Sequence, residues 1–404
     1  MAELPAAQPL IPVEQALERL LAMADSAPLQ EAEEIALGTA QGRVLAQDLF
    51  ATLDLPPWPN SAMDGYALRA ADWRGEALVV SQRIFAGQAP AALEPGTCAR
   101  IFTGAPMPEG ADCVEMQENA EVQPDQRVSF VQPLQVGRNV RPQGQETRAG
   151  DCVLRAGTRL GPIELGLIAS LGLAEVSVIR RPRVAVLSTG DELVDPGQPL
   201  GPGQIYNSNR QLLCSALVAL GCEVVDAGIL PDDLQATRLR LAGLAAVDLI
   251  LSTGGVSVGE ADFLGLALRE EGQLTLLKLA IKPGKPLTVG HFRNIPVIGL
   301  PGNPASTLVT FTLLARPYLL RRLGQQDVAP LRFRVQAGFV WPKPGARREY
   351  LRARLEQGRA VIYANQSSGV LLSAAWAQGL AEVREGQTLA EGDWLDFIPF
   401  TELF

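Results

Sequence analysis

The chain has 404 residues, 47% of them hydrophobic and 20% charged, with a formal net charge of −9 at pH 7. This composition is typical of a globular protein with roughly two to three domains of about 150 residues. The acidic balance, without any basic stripe interleaved with aromatic residues, excludes nucleic acid as an expected partner, and no apolar run approaches the roughly 20 residues of a membrane-spanning helix.

The cysteine and histidine content limits the possible chemistry. Five cysteines are scattered along the chain and never stand in CxxC spacing, and His291 is the only histidine. A disulfide framework, a zinc site and a multi-histidine metal site are therefore not expected. Glu3 and the absence of an early cluster of Lys or Arg argue against a signal peptide, so we expect the protein in the reducing cytoplasm.

The first half of the chain is predicted to contain a helical region with a β-rich insertion. The segment PVEQALERLLAMA places its apolar residues on one helical face from Val13 to Met23. From 51 to 147, short apolar segments alternate with turns, which is typical of a β-rich domain. Helix signals then return, with Pro162 at a helix start. We therefore predict an N-terminal domain made of 1–50 and 148–182.

From Arg183 the pattern changes to strands alternating with helices. Continuous apolar strands in such a pattern predict a parallel sheet covered on both faces, so we expect a three-layer α/β/α domain over 183–328. After Phe333 only strands are indicated, and they predict a small C-terminal β-barrel over 332–404. Within the α/β domain the predicted strands are 183–190, 222–230, 248–255 and 274–282 with a hairpin of 288–292 and 295–300, and the predicted helices are 207–221, 231–247, 261–272 and 303–324.

Glycine-rich or charged clusters follow each predicted strand of this domain. Because ligands bind beyond the carboxyl ends of parallel strands, we expect these clusters to share one crevice. They are Ser188 to Glu192, Pro231 to Asp233, Ser252 to Asp262, Lys282 to Lys285, and Leu300 to Pro304.

The stretch DLILSTGGVSVGEADF, from Asp248 to Phe263, indicates what binds there. Gly254, Gly255 and Gly259 allow backbone N–H groups to approach a phosphate or a similar oxyanion. The neighbouring carboxylates would repel such an anion, but they suit a divalent ion such as Mg²⁺ placed between them and a phosphate.

The distribution of lysine also indicates a site for an anion. Of the 35 basic residues only four are lysines, and three of these fall in KLAIKPGK, where Lys278 and Lys282 supply positive charge. Each signal also has a structural explanation: a tight turn for Ser-Thr-Gly, a helix N-cap for Asp232 or Asp233, and a turn for Asp64. Together they predict a phosphate-handling site. Neither a P-loop nor a dinucleotide-binding fingerprint is present.

Eight segments carry a resemblance to a known family. In chain order they resemble the motifs of the MoeA family of molybdopterin molybdenumtransferases, which is related to the C-terminal part of gephyrin. The segments are NSAMDGYA (60–67), IFTGAPMPEGADCV (101–114), NVRPQGQE (139–146), VLSTGDEL (186–193), LPDD (230–233), STGGVSVGEAD (252–262), KLAIKPGKP (278–286) and GLPGNPAS (299–306).

The resemblance implies a fold, an activity and partners. It implies an elongated cytoplasmic homodimer with four domains per chain. It also implies insertion of molybdenum from molybdate into adenylylated molybdopterin, with Mg²⁺ as cofactor and with release of AMP. The implied partners are these two substrates, a second copy of the chain, and the molybdopterin adenylyltransferase and other proteins of the cofactor pathway.

The resemblance also implies roles for individual residues. It implies a catalytic role for Asp64, Thr103, Glu192, Lys278 and Lys282. It implies metal binding by Glu192, Asp232 and Asp262. It implies substrate binding by Arg141, Ser188, Thr189, Gly190, Gly254, Gly255, Ser257, Lys285, Pro301, Pro304 and Ser306, and in the C-terminal domain only Ser367-Ser368-Gly369 is site-like.

One departure and several alternatives remain open from the sequence. The family typically has an acidic pair where this chain has Gln145 and Glu146, so one charge is lost. A molybdopterin adenylyltransferase-like enzyme or a nucleotide hydrolase would share the α/β core but would not need the two β domains. A non-catalytic scaffold on the same fold is a further alternative. We hypothesise that Asp64, Glu192 and Lys282 meet at one cleft.

Overall fold

The computed structural model describes residues 9–131, 133–230, 233–244, 246–254 and 263–403. Within these ranges, no helix combines the length and the apolar composition needed to cross a bilayer.

The chain before residue 183 forms two helices and twelve short strands, with 3₁₀ turns at Leu37–Thr39, Ala70–Asp72 and Gln117–Asn119. In chain order these elements are α1 (Val13–Ser26), β1 (Ala32–Ala36), β2 (Leu49–Phe50), β3 (Asn60–Ser61), β4 (Gly65–Leu68), β5 (Val79–Ile84), β6 (Thr97–Ile101), β7 (Cys113–Met116), β8 (Ala120–Val122), β9 (Val128–Phe130), β10 (Val140–Arg141), β11 (Cys152–Leu154), α2 (Pro162–Ser170) and β12 (Glu175–Ile179).

The stretches on either side of the predicted insertion pair with each other. β1 runs antiparallel to β12, and β2 runs antiparallel to β11. Between them, β5, β6, β4 and β7 form a four-stranded sheet in that order. The helix α1 packs instead against the α/β part of the chain, with Val13, Ala16 and Leu20 buried there. The domain boundaries given above remain predictions.

The segment from 183 to 322 forms the α/β layer structure. Its elements are β13 (Arg183–Thr189), β14 (Leu193–Val194), β15 (Ile205–Tyr206), α3 (Ser208–Ala219), β16 (Glu223–Leu230), α4 (Leu234–Ala242), β17 (Leu249–Thr253), α5 (Phe263–Glu271), β18 (Gly272–Lys278), β19 (Ile281–Lys282), β20 (Pro286–Phe292), β21 (Ile295–Leu300), α6 (Pro304–Thr310) and α7 (Arg316–Arg322).

Six of these strands form one sheet in the order β16-β13-β17-β21-β20-β18. The first four are parallel, and β20 and β18 add an antiparallel pair at one edge. The hairpin β20–β21 was predicted, but the position of β18 beyond it makes the sheet mixed rather than purely parallel.

Residues of β13 alternate between the two faces of the sheet. Val184 and Val186 face a core shared with α3, α6 and α7, whereas Ala185 and Leu187 face a second core shared with α4 and α5. This alternation follows from the period of two in a strand, and it confirms the predicted three layers.

The long predicted helix is present, but it contains a wider turn. A π-helical segment, Phe311–Ala315, joins α6 to α7. Pro317 lacks the N–H that an α-helical turn would use, and the turn before it is the one that widens.

The C-terminal part is a closed five-stranded barrel, as predicted. Strands follow one another around it in the order β23-β24-β22-β26-β25 and back to β23, and β19 of the α/β part pairs with β23 from outside. Its elements are β22 (Phe333–Ala337), β23 (Arg348–Glu356), β24 (Arg359–Ile362), α8 (Leu372–Trp376), β25 (Gly379–Val383) and β26 (Trp394–Pro399), followed by a 3₁₀ turn at Phe400–Glu402.

A partly buried ion pair fixes the start of the sheet to the N-terminal region. Arg180 donates from Nη1 to Asp248 Oδ2 (2.7 Å) and from Nη2 to Oδ1 (2.8 Å), and the Arg183 N–H donates to Oδ2 (2.7 Å). Burial acts to raise the pKa of Asp248, but Arg180 and the Arg183 N–H outweigh it and hold this pKa below its ordinary value.

We expect Asp248→Asn to lower the free energy of unfolding by about 2–3 kcal/mol at pH 7, because it removes a charge-assisted pair. A depressed folded-state pKa gives stability that is present above the unfolded-state value and lost as the pH falls through the folded-state value. The difference from wild type should therefore narrow below about pH 4. Urea unfolding of both proteins at pH 7 and at pH 3 measures this difference in the free energy of unfolding.

The control is Glu391→Gln, which breaks an exposed pair with Arg359 and should change stability by less than about 1 kcal/mol. An Asp248→Asn deficit of equal size at both pH values would contradict the explanation.

Candidate functional site

The carboxyl ends of the parallel strands meet at one edge of the sheet, as expected. Ser188 of β13 lies beside Thr253 of β17, and their hydroxyl oxygens are 3.0 Å apart. Both side chains are buried. The next pairing places Thr253 beside Leu300 of β21, so three strand ends stand side by side.

The glycines at this edge allow close backbone contacts. Gly254 has φ +81°, and a Cβ there would lie 2.6 Å from the Thr189 carbonyl oxygen. Its N–H donates to the Leu300 carbonyl oxygen at 3.2 Å. At Gly190, with φ +139°, a Cβ would lie 2.4 Å from Glu192 Oε2. The exposed Glu192 side chain therefore folds back over Gly190.

A cleft of about 490 Å³ lies between this edge and the C-terminal barrel. Three cations contribute to its lining, and none of the lining residues described is a carboxylate. Pro301 and the hydroxyl groups of three serines also line the cleft. The lining residues of interest are Lys282, Lys285, Arg347, Ser306, Ser367 and Ser368.

The barrel fixes the position of Lys282. Lys282 pairs with Glu349 across the two strands β19 and β23, and its Nζ lies 3.0 Å from Glu349 Oε2. The Lys282 side chain is 51% exposed and that of Glu349 only 10%, so the ammonium covers the carboxylate and faces the cleft. The Arg348 N–H also donates to the Ala280 carbonyl oxygen at 2.8 Å, and this hydrogen bond further holds β23 of the barrel to β19.

The three clustered lysines lie along the connection from β18 to β20: Lys278 ends β18, Lys282 ends β19, and Lys285 directly precedes β20. Lys278 stands opposite Pro286 in the pair β18–β20, and the Leu279 N–H donates to the Lys285 carbonyl oxygen at 2.7 Å. Lys278 itself is not among the residues that line the cleft. At Gly284, with φ +108°, a Cβ would lie 2.7 Å from Thr310 Cγ2, so the loop lies directly on α6.

The loop before α6 forms another wall. The Thr307 hydroxyl donates to the Pro301 carbonyl oxygen (2.6 Å), and the Asn209 amide donates to the Gly302 carbonyl oxygen (2.6 Å). The helix begins at Pro304 as predicted, with Asn303 at the N-cap position. The Asn303 side chain makes no capping hydrogen bond.

Asp64 and Thr103 form a second site in the β-rich part. Asp64 Oδ1 accepts from both the N–H and the hydroxyl of Thr103, each at 2.8 Å. The Thr103 N–H, then its hydroxyl, and then the positive charge of Arg100 hold the pKa of Asp64 below its ordinary value. The carboxylate is therefore ionised at neutral pH.

Within one chain the predicted residues lie in separate places. Among the described residues, no hydrogen bond or ion pair joins Asp64 or Thr103 to the α/β part. Arg141 is exposed and lines a different cleft of about 640 Å³, together with Asn60 and Glu146. That Asp64, Glu192 and Lys282 meet at one cleft therefore stays a hypothesis.

Part of the predicted metal and substrate site lies outside the described residues. Asp232, Gly255, Ser257 and Asp262 all belong to this group. In the ranges that the structure does describe, no three His, Cys, Asp or Glu side chains are grouped to hold a metal ion. The next residue, Asp233, caps α4, with Oδ1 accepting from the Ala236 N–H at 2.7 Å.

Several residues near the site were not predicted from the sequence. Arg347 and Gln366 line the cleft, and Asn207 and Asn209 are buried at the start of α3 beside the sheet edge. The Asn207 amide nitrogen and the Asn209 amide oxygen have no hydrogen-bond partner within the part of the chain that the structure describes. The sequence NSN places two amide side chains at a predicted helix start, which is a recognisable signal. Nothing in the sequence around Arg347 distinguishes it from the other arginines.

Comparison with known proteins agrees with this architecture. Family models match residues 11–172 as the MoeA N-terminal region (domain I and II), 185–321 as a probable molybdopterin binding domain, and 334–400 as the MoeA C-terminal region (domain IV). A molybdopterin molybdenumtransferase of Haemophilus influenzae is 38% identical over 383 residues, which cover 92% of this chain and 95% of that protein. The chain belongs to the MoeA family.

Other members of the MoeA family are similarly related. Molybdopterin molybdenumtransferase 2 of Mycobacterium tuberculosis is 39% identical over 368 residues, covering 87% of this chain and 90% of that protein. Two crystal structures of molybdopterin biosynthesis MoeA proteins from Pyrococcus horikoshii superpose with TM-scores of 0.78 and 0.82, at 33% and 27% identity. Each covers 97% of this chain, and the match spans 99% and 100% of the two MoeA chains.

Proposed function

We propose that this chain is a molybdopterin molybdenumtransferase, which inserts molybdenum from molybdate into adenylylated molybdopterin and releases AMP. The observation that carries the proposal is the cleft with Lys282, Lys285 and Arg347 and with no described carboxylate in its lining. Such a cleft favours an oxyanion. The relatives are named molybdopterin molybdenumtransferases, which supports molybdate as the anion that we propose.

The residues of the chain suit both parts of the reaction. In the cleft, the ammonium groups and the Arg347 guanidinium would donate hydrogen bonds to molybdate oxygens. Charge also develops on the phosphate of AMP as it leaves, and nearby fixed cations lower the free energy of that state. At the sheet edge, the absence of a Cβ at Gly254 lets the end of β17 pack directly against the Thr189 carbonyl oxygen, which keeps the ends of β13 and β17 together.

We also propose that the reaction requires Mg²⁺. Of the three predicted ligands, Glu192 is described and would be one ligand of such a site, whereas Asp232 and Asp262 lie outside the described residues. When bound, Mg²⁺ would neutralise negative charge on phosphate oxygens.

We further propose a cytoplasmic homodimer that receives its substrate from a molybdopterin adenylyltransferase. Asp64, Thr103 and Arg141 support the dimer, because no described contact brings them to the lysine cleft within one chain. A second copy of the β-rich part could bring an ionised carboxylate to that cleft.

The test is turnover of adenylylated molybdopterin by the purified protein with Mg²⁺, with and without molybdate. AMP release should require molybdate, should stop with EDTA, and should return when Mg²⁺ is restored. Binding of the adenylate without turnover would favour a scaffold. Consumption of ATP and molybdopterin with release of pyrophosphate would favour an adenylyltransferase.

A further inference from the structure

Arg352 is a fully buried arginine with no carboxylate beside it among the described residues. It lies on β23 and is 0% exposed. Its Nε donates to the Ser373 hydroxyl (3.0 Å), its Nη1 to the Tyr350 carbonyl oxygen (3.4 Å) and its Nη2 to the Ser367 carbonyl oxygen (3.1 Å). Burial lowers the pKa of Arg352 to about 10, so the side chain remains charged at neutral pH.

Burying a cation without a counter-ion is costly, and apolar side chains of similar volume often serve stability equally well. Packing alone therefore does not account for an arginine here. Its contact with Ser367 is the relevant one, because Ser367 and Ser368 line the lysine cleft.

The loop that contains these serines is held from both sides. The Arg352 N–H donates to Gln366 Oε1 (2.9 Å), and Gln366 Nε2 donates back to the Arg352 carbonyl oxygen (3.0 Å). On the opposite side, the N–H of Ala305 in α6 donates to the Ser368 carbonyl oxygen at 2.9 Å. The loop is thus fixed between the barrel and the α/β part.

The orientation of one peptide group follows from these contacts. The Ser367 carbonyl oxygen accepts from Arg352 Nη2 (3.1 Å) and also from the Val370 N–H in the same turn (3.3 Å), and in a trans peptide the following N–H points the opposite way. The Ser368 N–H is therefore directed away from the barrel, and it has no hydrogen-bond partner among the described residues. A cation bonded to the carbonyl also polarises the peptide and strengthens its N–H as a donor.

We propose that Arg352 is a positioning residue that fixes the Ser367–Ser368 peptide so that the Ser368 N–H binds a tetrahedral oxyanion in the cleft. Arg352 does not touch the anion; it acts through this peptide. The proposal rests on the proposed function in one respect, namely that the anion is molybdate.

The test compares molybdate binding and kinetics in the full-length protein. Arg352→Met keeps the volume and removes the donors, and Gln366→Leu removes the second tether from a partly exposed position. Loss of a charge-assisted hydrogen bond should raise the Kd for molybdate by about tenfold or more in Arg352→Met. Arg352→Lys should recover part of the affinity, since an ammonium can still bond the Ser367 carbonyl oxygen. Isothermal titration with molybdate measures these values.

The matched control is Leu351→Ala, the neighbouring residue on β23, whose side chain packs in the barrel core. It should lower the melting temperature without changing the Kd for molybdate. In turnover, Arg352→Met should raise the KM for molybdate and leave the KM for adenylylated molybdopterin unchanged. A purely structural role would move both KM values together.

Each outcome is decisive. Failure of the wild-type protein to bind molybdate would overturn the proposed function and this inference with it. If the wild type binds but Arg352→Met and Gln366→Leu bind equally well, the inference alone is wrong. It is also wrong if Leu351→Ala weakens binding as much as they do. Should Arg352→Met fail to fold, Arg352→Lys and Gln366→Leu decide the question.

Discussion

Lys282→Ala is expected to lower kcat/KM for molybdate-dependent AMP release by about 10²–10³-fold, the loss typical when one fixed donor to a developing oxyanion is removed. The structure adds a second reason. The Lys282 ammonium lies 3.0 Å from Glu349 and covers this carboxylate, which is mostly buried. Removing the lysine therefore leaves an unpaired negative charge beside an anion-binding cleft. The measurement is steady-state AMP release in proteins with matched melting temperatures.

The double variant Lys282→Ala/Glu349→Gln separates the two reasons. If the uncovered carboxylate contributes, the double variant should turn over about tenfold faster than Lys282→Ala alone, as a coupled pair requires. Lys343→Ala is the matched control, because Lys343 is exposed and is the one lysine outside the KLAIKPGK segment. A folded Lys282→Ala protein with nearly wild-type turnover would remove the lysine cleft from the proposed mechanism.

Asp64→Asn is expected to lower turnover by at least about 10²-fold, the scale of a lost acid–base or charged group in a site. Asp64 Oδ1 is engaged by the two donors of Thr103, whereas Oδ2 makes no hydrogen bond among the described residues. Asparagine keeps an oxygen for Thr103 and removes the charge. The variant therefore tests the ionised carboxylate rather than the shape of the turn.

Thr103→Val provides the complementary measurement. Without its hydroxyl donor the pKa of Asp64 should rise toward the ordinary value, so turnover should begin to fall at a higher pH as the solution is made more acidic. Asp125→Asn is the control, because Asp125 is an exposed turn aspartate of the same β-rich part that also accepts a backbone N–H. Wild-type turnover of Asp64→Asn across the pH range would show that no charge is needed there.

The sequence predicts the elements of the α/β part well because each carries a local signal. Asn207 caps α3 by accepting from the Arg210 N–H, and Asp233 caps α4, as helix-start preferences indicate. The turn glycines are equally local: Gly254 has the positive φ that its position requires. Such features depend on a few neighbouring residues, so a single sequence contains them.

Contacts between distant segments could not be predicted in this way. The pairing of β19 with β23 joins residues that are more than sixty positions apart. The hydrophobic pattern of neither segment indicates this pairing. The same holds for Arg347 and Gln366, whose place in the cleft depends on how the barrel docks. The position of β18 at the edge of the sheet is likewise a property of the assembled fold.

The strand pair β19–β23 has a consequence for synthesis of the protein. The sheet edge with Ser188, Thr253 and Gly254 is complete once the first three quarters of the chain have emerged, whereas the wall formed by Ser367 and Ser368 has not yet been translated. A nascent or prematurely terminated chain could therefore fold its central layers and still lack the barrel wall of the lysine cleft. Under the proposed function, translation of the barrel is therefore needed to complete the site for molybdate.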